Sequence, residues 1–141
     1  MTPRDTSTGG VLESMIIPAL NRGGYAYTKQ VVIGNRLGGG KHKVDILATS
    51  TDGRQIPISV KWQQTSGTAE QKVPFEIMCL ADAIHSSEGK FTSAYLVLGG
   101  EGWTLRDYYL SGKVQQYLKN CEPVRIVSLE GFVARANRSD L

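Results

Sequence analysis

Two neighbouring segments constrain this chain more than any other feature: Lys43-Val44-Asp45-Ile46-Leu47-Ala48 and Ile56-Pro57-Ile58-Ser59-Val60-Lys61-Trp62-Gln63. The polar link between them, Thr51-Asp52-Gly53-Arg54, carries an Asp-Gly hairpin signal. Side chains alternate between the two faces of a strand. The pattern predicts Val44, Ile46 and Ala48 on one face of the first strand, with Asp45 opposite. In the second, Ile56, Ile58, Val60 and Trp62 share a face, and Ser59, Lys61 and Gln63 point the other way. Packing both apolar faces on a common core sets Asp45 beside Lys61. Read plainly, that is a cross-strand ion pair on a half-buried hairpin. Read chemically, a carboxylate next to an ammonium on paired strands is a framework for metal-assisted cleavage of a phosphodiester.

The rest of the chain supplies the setting. Residues 1–9 are polar and expected to be loose. From Gly10, the positions Val11, Met15, Ile16, Ala19 and Leu20 suit an amphipathic helix. Pro18 is expected to kink its last turn, and Asn21-Arg22-Gly23-Gly24 to end it. Tyr25 to Ile33 is rich in aromatic and β-branched residues and reads as a strand. A helix is predicted from about Ala69 to His85, with Val73, Ile77, Leu80 and Ile84 at helical spacing and Pro74 tolerable only in the first turn. Ala94 to Leu98 is an apolar strand closed by Gly99-Gly100. A helix over 105–119, a strand over 124–127, and a short helix or tail from Gly131 complete the order α-β-β-β-α-β-α-β. A helix between the third and fourth strands implies a crossover, hence a mixed β-sheet flanked by helices in a single α/β domain spanning 1–141.

Composition narrows the class. With 40% hydrophobic and 21% charged residues, the 141-residue chain can bury a proper core. No apolar run reaches the ~18 residues that span a bilayer, and the N-terminus lacks a signal-peptide pattern, so a cytoplasmic setting is expected. Cys79 and Cys121 read as reduced thiols. A net charge of +3 permits a polyanionic partner without requiring one. The segment ending Gly40-Lys41-His42 is not a P-loop, because Asn35 stands at the required first glycine and His42 at the required Ser/Thr.

An early helix with Glu13, a Gly-rich link, the run Val44-Asp45-Ile46-Leu47 and then Ile58-Ser59-Val60-Lys61-Trp62-Gln63 together resemble the PD-(D/E)XK nuclease superfamily over about residues 10–98. That superfamily includes restriction enzymes, homing endonucleases and Holliday-junction resolvases. Its signature is an Asp on one strand and an acidic-x-Lys triplet on the next. Asp45 and Lys61 match; Ser59 stands where the acid is expected. Some members carry Ser-x-Lys with the glutamate supplied from the following helix. Here the candidates are Glu76, which has the closer spacing, and Glu70. The resemblance implies a restriction-endonuclease-like αβββαβ core and a Mg²⁺-dependent DNA endonuclease in which Mn²⁺ substitutes. Asp45, Glu76 and the Val60 carbonyl would hold the metal. Lys61 would face the attacking water and phosphate, Glu13 would be an auxiliary carboxylate, and Ser59 would bond a water.

Phosphate contacts are expected from Arg36, Lys41 and Lys43 in a flexible basic link over 34–43 and from Lys72, while Gln63 either touches DNA or simply ends its strand. His42 reads as a loop histidine without a special role. Cutting both strands of a duplex with one small site implies a homodimer. A site-specific restriction or homing enzyme is the leading expectation, and a junction resolvase acting on branched DNA is the alternative. A catalytically silent DNA-binding protein, argued by Ser59, stays open, as does an unrelated α/β domain.

Overall fold

The computed structural model describes residues 8–141, so most of the stretch expected to be loose lies outside the described residues. The chain enters through helix α1 (Thr8–Val11), a π-helical turn (Leu12–Ile16) and helix α2 (Ile17–Arg22), which run on as one helical segment. Pro18 occupies the first turn of α2, where its missing N–H is tolerated, and the wider π-turn immediately precedes it. Strands β1 (Ala26–Asn35), β2 (Lys41–Thr49) and β3 (Gln55–Trp62) follow as an antiparallel meander. The Asp-Gly link turns β2 into β3 as expected: Gly53 has φ 88° and donates to the Ser50 carbonyl at 3.0 Å. Helix α3 (Ala69–Ser86) crosses over to β4 (Ala94–Gly99), parallel to β3; helix α4 (Arg106–Leu110) and a 3₁₀ turn (Lys113–Tyr117) lead to β5 (Val124–Ser128), parallel to β4. Helix α5 (Leu129–Asn137) ends the chain. The sheet order is β1-β2-β3-β4-β5.

Helices cover both faces. One core packs Ile46, Ala48, Ile56, Ile58, Val60, Tyr95 and Val97 against the N-terminal helical segment and α5. The other packs Leu96, Leu98 and Ile126 against Val73, Ile77, Leu80 and Ile84 of α3 and Tyr109 of α4. The single helix expected over 105–119 is therefore two short pieces. Gly112, at φ 79°, breaks them where an L-residue would be strained. Pro74 lies in the second turn of α3 rather than the first, because the helix begins at Ala69. It cannot donate to the Glu70 carbonyl four residues back; the Tyr109 hydroxyl fills that vacancy at 2.7 Å.

Expected and observed strand faces part at Asp45. Val44 packs in the α3-side core, while Ile46 and Ala48 pack on the opposite side. The β1–β2 register is unchanged across this point, with Lys29 opposite Ile46 and Val31 opposite Val44. Between them Gln30 adopts φ 55°, a left-handed conformation that is costly for a residue with a Cβ. Both strands thus change face together. Since both faces are buried, alternation shows which residues point inward without showing which helix layer they meet. The supposed polar face is covered too, leaving Ser59 only 2% exposed beneath α3.

Gly100 and Gly102 lean on the segment joining β3 to α3. A Cβ at Gly100, already at φ 91°, would sit 2.3 Å from the Gln63 carbonyl oxygen, whereas Gly53 faces open space. Gly53→Ala is expected to cost only the left-handed strain, about 1 kcal/mol. Gly100→Ala adds a backbone clash and is expected to cost about 3 kcal/mol or more, read by urea unfolding.

Candidate active site

The β2–β3 pairs run from Thr49 opposite Gln55 to Ile46 opposite Ile58. Beyond Ile58, Asp45 supplies the acceptor with its side chain: the Val60 N–H donates to Asp45 Oδ2 at 2.7 Å. The carboxylate is thereby fixed at the point where the strands separate. Asp45, Ser59, Val60 and Lys61 line a cleft of about 420 Å³ there, closed on the helical side by Lys72 and Glu76.

Glu76 lies on the inward stripe of α3 with Val73, Ile77 and Leu80, and is only 3% exposed. A buried carboxylate needs partners, and this one has four. Oε1 lies 2.8 Å from His42 Nε2 and 3.9 Å from Arg36 Nη1. Oε2 accepts from Ser59 Oγ at 3.2 Å and lies 3.8 Å from Lys61 Nζ. Burial, the largest single influence, pushes the Glu76 carboxyl up, but His42, Lys61 and Arg36 together outweigh it and hold it below its ordinary value. Asp45 is the reverse. Burial raises it, the Val60 N–H and Lys61 offset part of that, and the negative Glu76 nearby adds to the rise. Gln30, the left-handed residue of β1 beside Asp45, has a smaller influence that also opposes the rise.

The structure brings Asp45, Ser59, Val60, Lys61 and Glu76 together, with Arg36, Lys43 and Lys72 on the same cleft. It does not bring Glu13, whose carboxylate is 61% exposed and pairs with Lys29 Nζ at 2.6 Å. Thr8 is the residue from that helical segment that reaches the cleft. Glu70, the rival to Glu76, accepts instead from the Leu105 N–H at 2.7 Å, tying α3 to the segment before α4. Gln63 is a structural bridge: it donates to the Gly102 carbonyl at 2.7 Å and accepts from the Ala69 N–H at 3.1 Å, buried at the start of the crossover. The basic link is shorter than expected. Strand pairing continues to Asn35 opposite Lys41, and residues 36–40 form a tight turn closed by the Arg36 N–H on the Gly40 carbonyl at 2.8 Å. Lys41 stands exposed at the start of β2, outside the cleft lining.

Two residues escape the sequence reading. His42 is a fully buried strand residue bonded to Glu76, not a loop histidine. Its even spacing with Val44, Ile46 and Ala48 was the available signal. Nothing in the sequence marks Gln30.

The oxygens that could hold a cation are the Asp45 and Glu76 carboxylates and the Val60 carbonyl. That hard-oxygen set suits Mg²⁺, which commonly takes one or two carboxylates and keeps several waters. No cage of three or more His, Cys, Asp or Glu side chains occurs among the described residues. Burial does most to raise Asp45, and the smaller contribution from the Glu76 charge is one that a cation held by these oxygens would offset.

Stability should report this electrostatic arrangement. Asn at position 45 keeps an acceptor for the Val60 N–H and removes a desolvated charge, so Asp45→Asn is expected to raise the metal-free melting temperature at neutral pH by ~2–4 °C. Glu76→Ala removes the counter-charge of the partly exposed Arg36 and Lys61 and leaves the buried His42 Nε2 without its partner, and is expected to cost about 3 kcal/mol in chemical denaturation. Because the Glu76 carboxyl is held below the ordinary 4.5, its unfolded form binds the proton more readily. Its stabilisation is therefore complete above pH 4.5 and is lost as pH falls through the depressed folded value. The stability difference between the native chain and Glu76→Gln should shrink over that acid window.

A sequence model described as a PD-(D/E)XK nuclease superfamily domain matches residues 4–140. No curated protein sequence matches the chain. A crystal structure titled as a protein of unknown function, AF1548, aligns with TM-score 0.48 and 14% identity, covering 80% of this chain and 54% of that one. The chain thus spans about half the length of that neighbour. With the Asp45–Lys61 pair on diverging strands and the match running over nearly its whole length, the chain belongs to the PD-(D/E)XK nuclease superfamily.

Proposed function

We propose that this chain is a Mg²⁺-dependent DNA endonuclease, working as a single domain in which Glu76 replaces the acidic residue missing at Ser59. The observation that carries the reading is the approach of the Glu76 carboxylate to Ser59 Oγ at 3.2 Å and Lys61 Nζ at 3.8 Å: an acid from α3 occupies the space in front of the strand position that lacks one. Asp45, Glu76 and the Val60 carbonyl would hold a divalent cation, which when bound would polarise the phosphate and acidify water. Lys61 then serves two roles, balancing Glu76 in the free protein and meeting the scissile phosphate in the complex. Arg36, Lys43 and Lys72 supply phosphate contacts along the cleft, and Lys41 extends the basic surface along the hairpin. Ser59 keeps Glu76 in place by donating to it.

Homodimers of restriction or homing type, each subunit cutting one strand, are the preferred assembly, with a resolvase acting on branched DNA as the alternative. A second reading, a DNA-binding protein without catalysis, draws on the engagement of Lys61 and Arg36 with Glu76, which leaves neither cation wholly uncommitted.

Incubation of supercoiled plasmid, linear genomic DNA and a four-way junction with Mg²⁺ or Mn²⁺, against EDTA, separates these readings. Metal-dependent cleavage is expected, reduced about 10²–10³-fold or more in Asp45→Ala and Lys61→Ala, the scale for losing one preorganised charge-stabilising group. Cuts at discrete sites point to the restriction or homing branch, and paired nicks in the junction to the resolvase branch. Salt-sensitive binding with no cleavage of any substrate would select the silent reading.

A further inference from the structure

We propose that His42 is a positioning residue for Glu76, holding Oε1 on the core side so that Oε2 is the oxygen turned to the cation site. This rests on the nuclease reading above. His42 has no exposed surface, and its Nε2 sits 2.8 Å from Glu76 Oε1. An ionised carboxylate only accepts, so the hydrogen lies on Nε2. The other ring nitrogen, Nδ1, is buried without a hydrogen-bond partner among the described residues. An orphaned buried polar atom costs free energy that an apolar side chain at position 42 would avoid. Among the described residues, the Nε2 bond to Glu76 is the one hydrogen bond the ring makes.

The two oxygens of Glu76 face different surroundings. Oε1 bonds the buried His42, which does not line the cleft, and has only a longer approach, 3.9 Å, to the cleft-lining Arg36. Oε2 meets Ser59 and Lys61, both of which line the cleft with Asp45. A flexible glutamate would otherwise lose rotamer freedom on engaging a cation. A rigid ring fixed in β2 removes that freedom beforehand. The face change at Asp45 makes this possible, since it turns His42 and Val44 towards α3 while Ile46 and Ala48 pack on the other side.

Mn²⁺ titration of the whole chain by calorimetry, without DNA, tests the proposal. His42→Leu is expected to weaken Mn²⁺ binding about 10–100-fold, the usual scale for residues that orient a metal ligand. His42→Gln places an amide nitrogen as many bonds from Cβ as Nε2 and is expected to restore most of the affinity. His42→Asn reaches only as far as Nδ1 and is expected not to. Native affinity in His42→Leu, or equal affinities in the Gln and Asn variants, would overturn the proposal. The Gln–Asn comparison decides the matter even if the Leu variant fails to fold. Mn²⁺ binding that is lost in Glu76→Gln but intact in His42→Leu would sink the His42 role alone. Absence of Mn²⁺ binding in the native chain would sink the nuclease reading and this role with it.

Discussion

A glutamate carboxylate buried beneath a helix is the interaction on which this site depends. Placing Glu76 at 3% exposure is unfavourable unless hydrogen bonds and cations replace the lost water. The four compensating groups come from three different parts of the fold. His42 is on β2, Ser59 and Lys61 are on β3, and Arg36 is in the turn between β1 and β2. The carboxylate therefore ties the crossover helix to the hairpin, and fold and site share one set of contacts. Asp45 is the less comfortable partner. Its carboxyl is raised by burial and by Glu76, and the Val60 N–H and Lys61 offset only part of that. One satisfied acid and one strained acid facing a common cleft is the pattern expected where stability gives way to function.

Strand geometry explains how the two acids meet. Asp45 accepts the Val60 N–H where ladder pairing has stopped, so the strands open at the carboxylate. On the other side of β2, the left-handed Gln30 permits β1 and β2 to change face without losing register. His42 consequently reaches Glu76 on α3, while Ile46 and Ala48 serve the opposite core. Without that change His42 and Val44 would point to the α5 side.

Much of the architecture was legible because it follows from local rules. The Asp-Gly turn, the alternating strands and the helical spacing of α3 led to the element order, and the crossover to the mixed sheet. The cleft was legible in part: Asp45 and Lys61 from strand parity, Glu76 from spacing within α3. What escaped depends on tertiary contacts. His42 looked like a loop residue because three glycines precede it closely, yet pairing of Asn35 with Lys41 extends the strand past it. Glu13 and Glu70 carry suitable chemistry, but Lys29 and the Leu105 N–H claim them. Gln63 sits at the right distance along the chain and is consumed by the turn into α3. Pro74 falls inside α3 because a tyrosine from α4 supplies the missing donor, which periodicity does not reveal.

Under the proposed function, Glu76 does from α3 what an acid at position 59 would do from β3. Moving the carboxylate tests it most directly: Mg²⁺-dependent DNA cleavage is compared in the native chain, in Glu76→Ala, and in the double variant Ser59→Glu/Glu76→Ala. Since Ser59 Oγ lies 3.2 Å from Glu76 Oε2, a glutamate at 59 can extend into the vacated space. If Glu76 fills that role, cleavage disappears in the single variant and returns in part in the double variant. Undiminished cleavage by Glu76→Ala would contradict it.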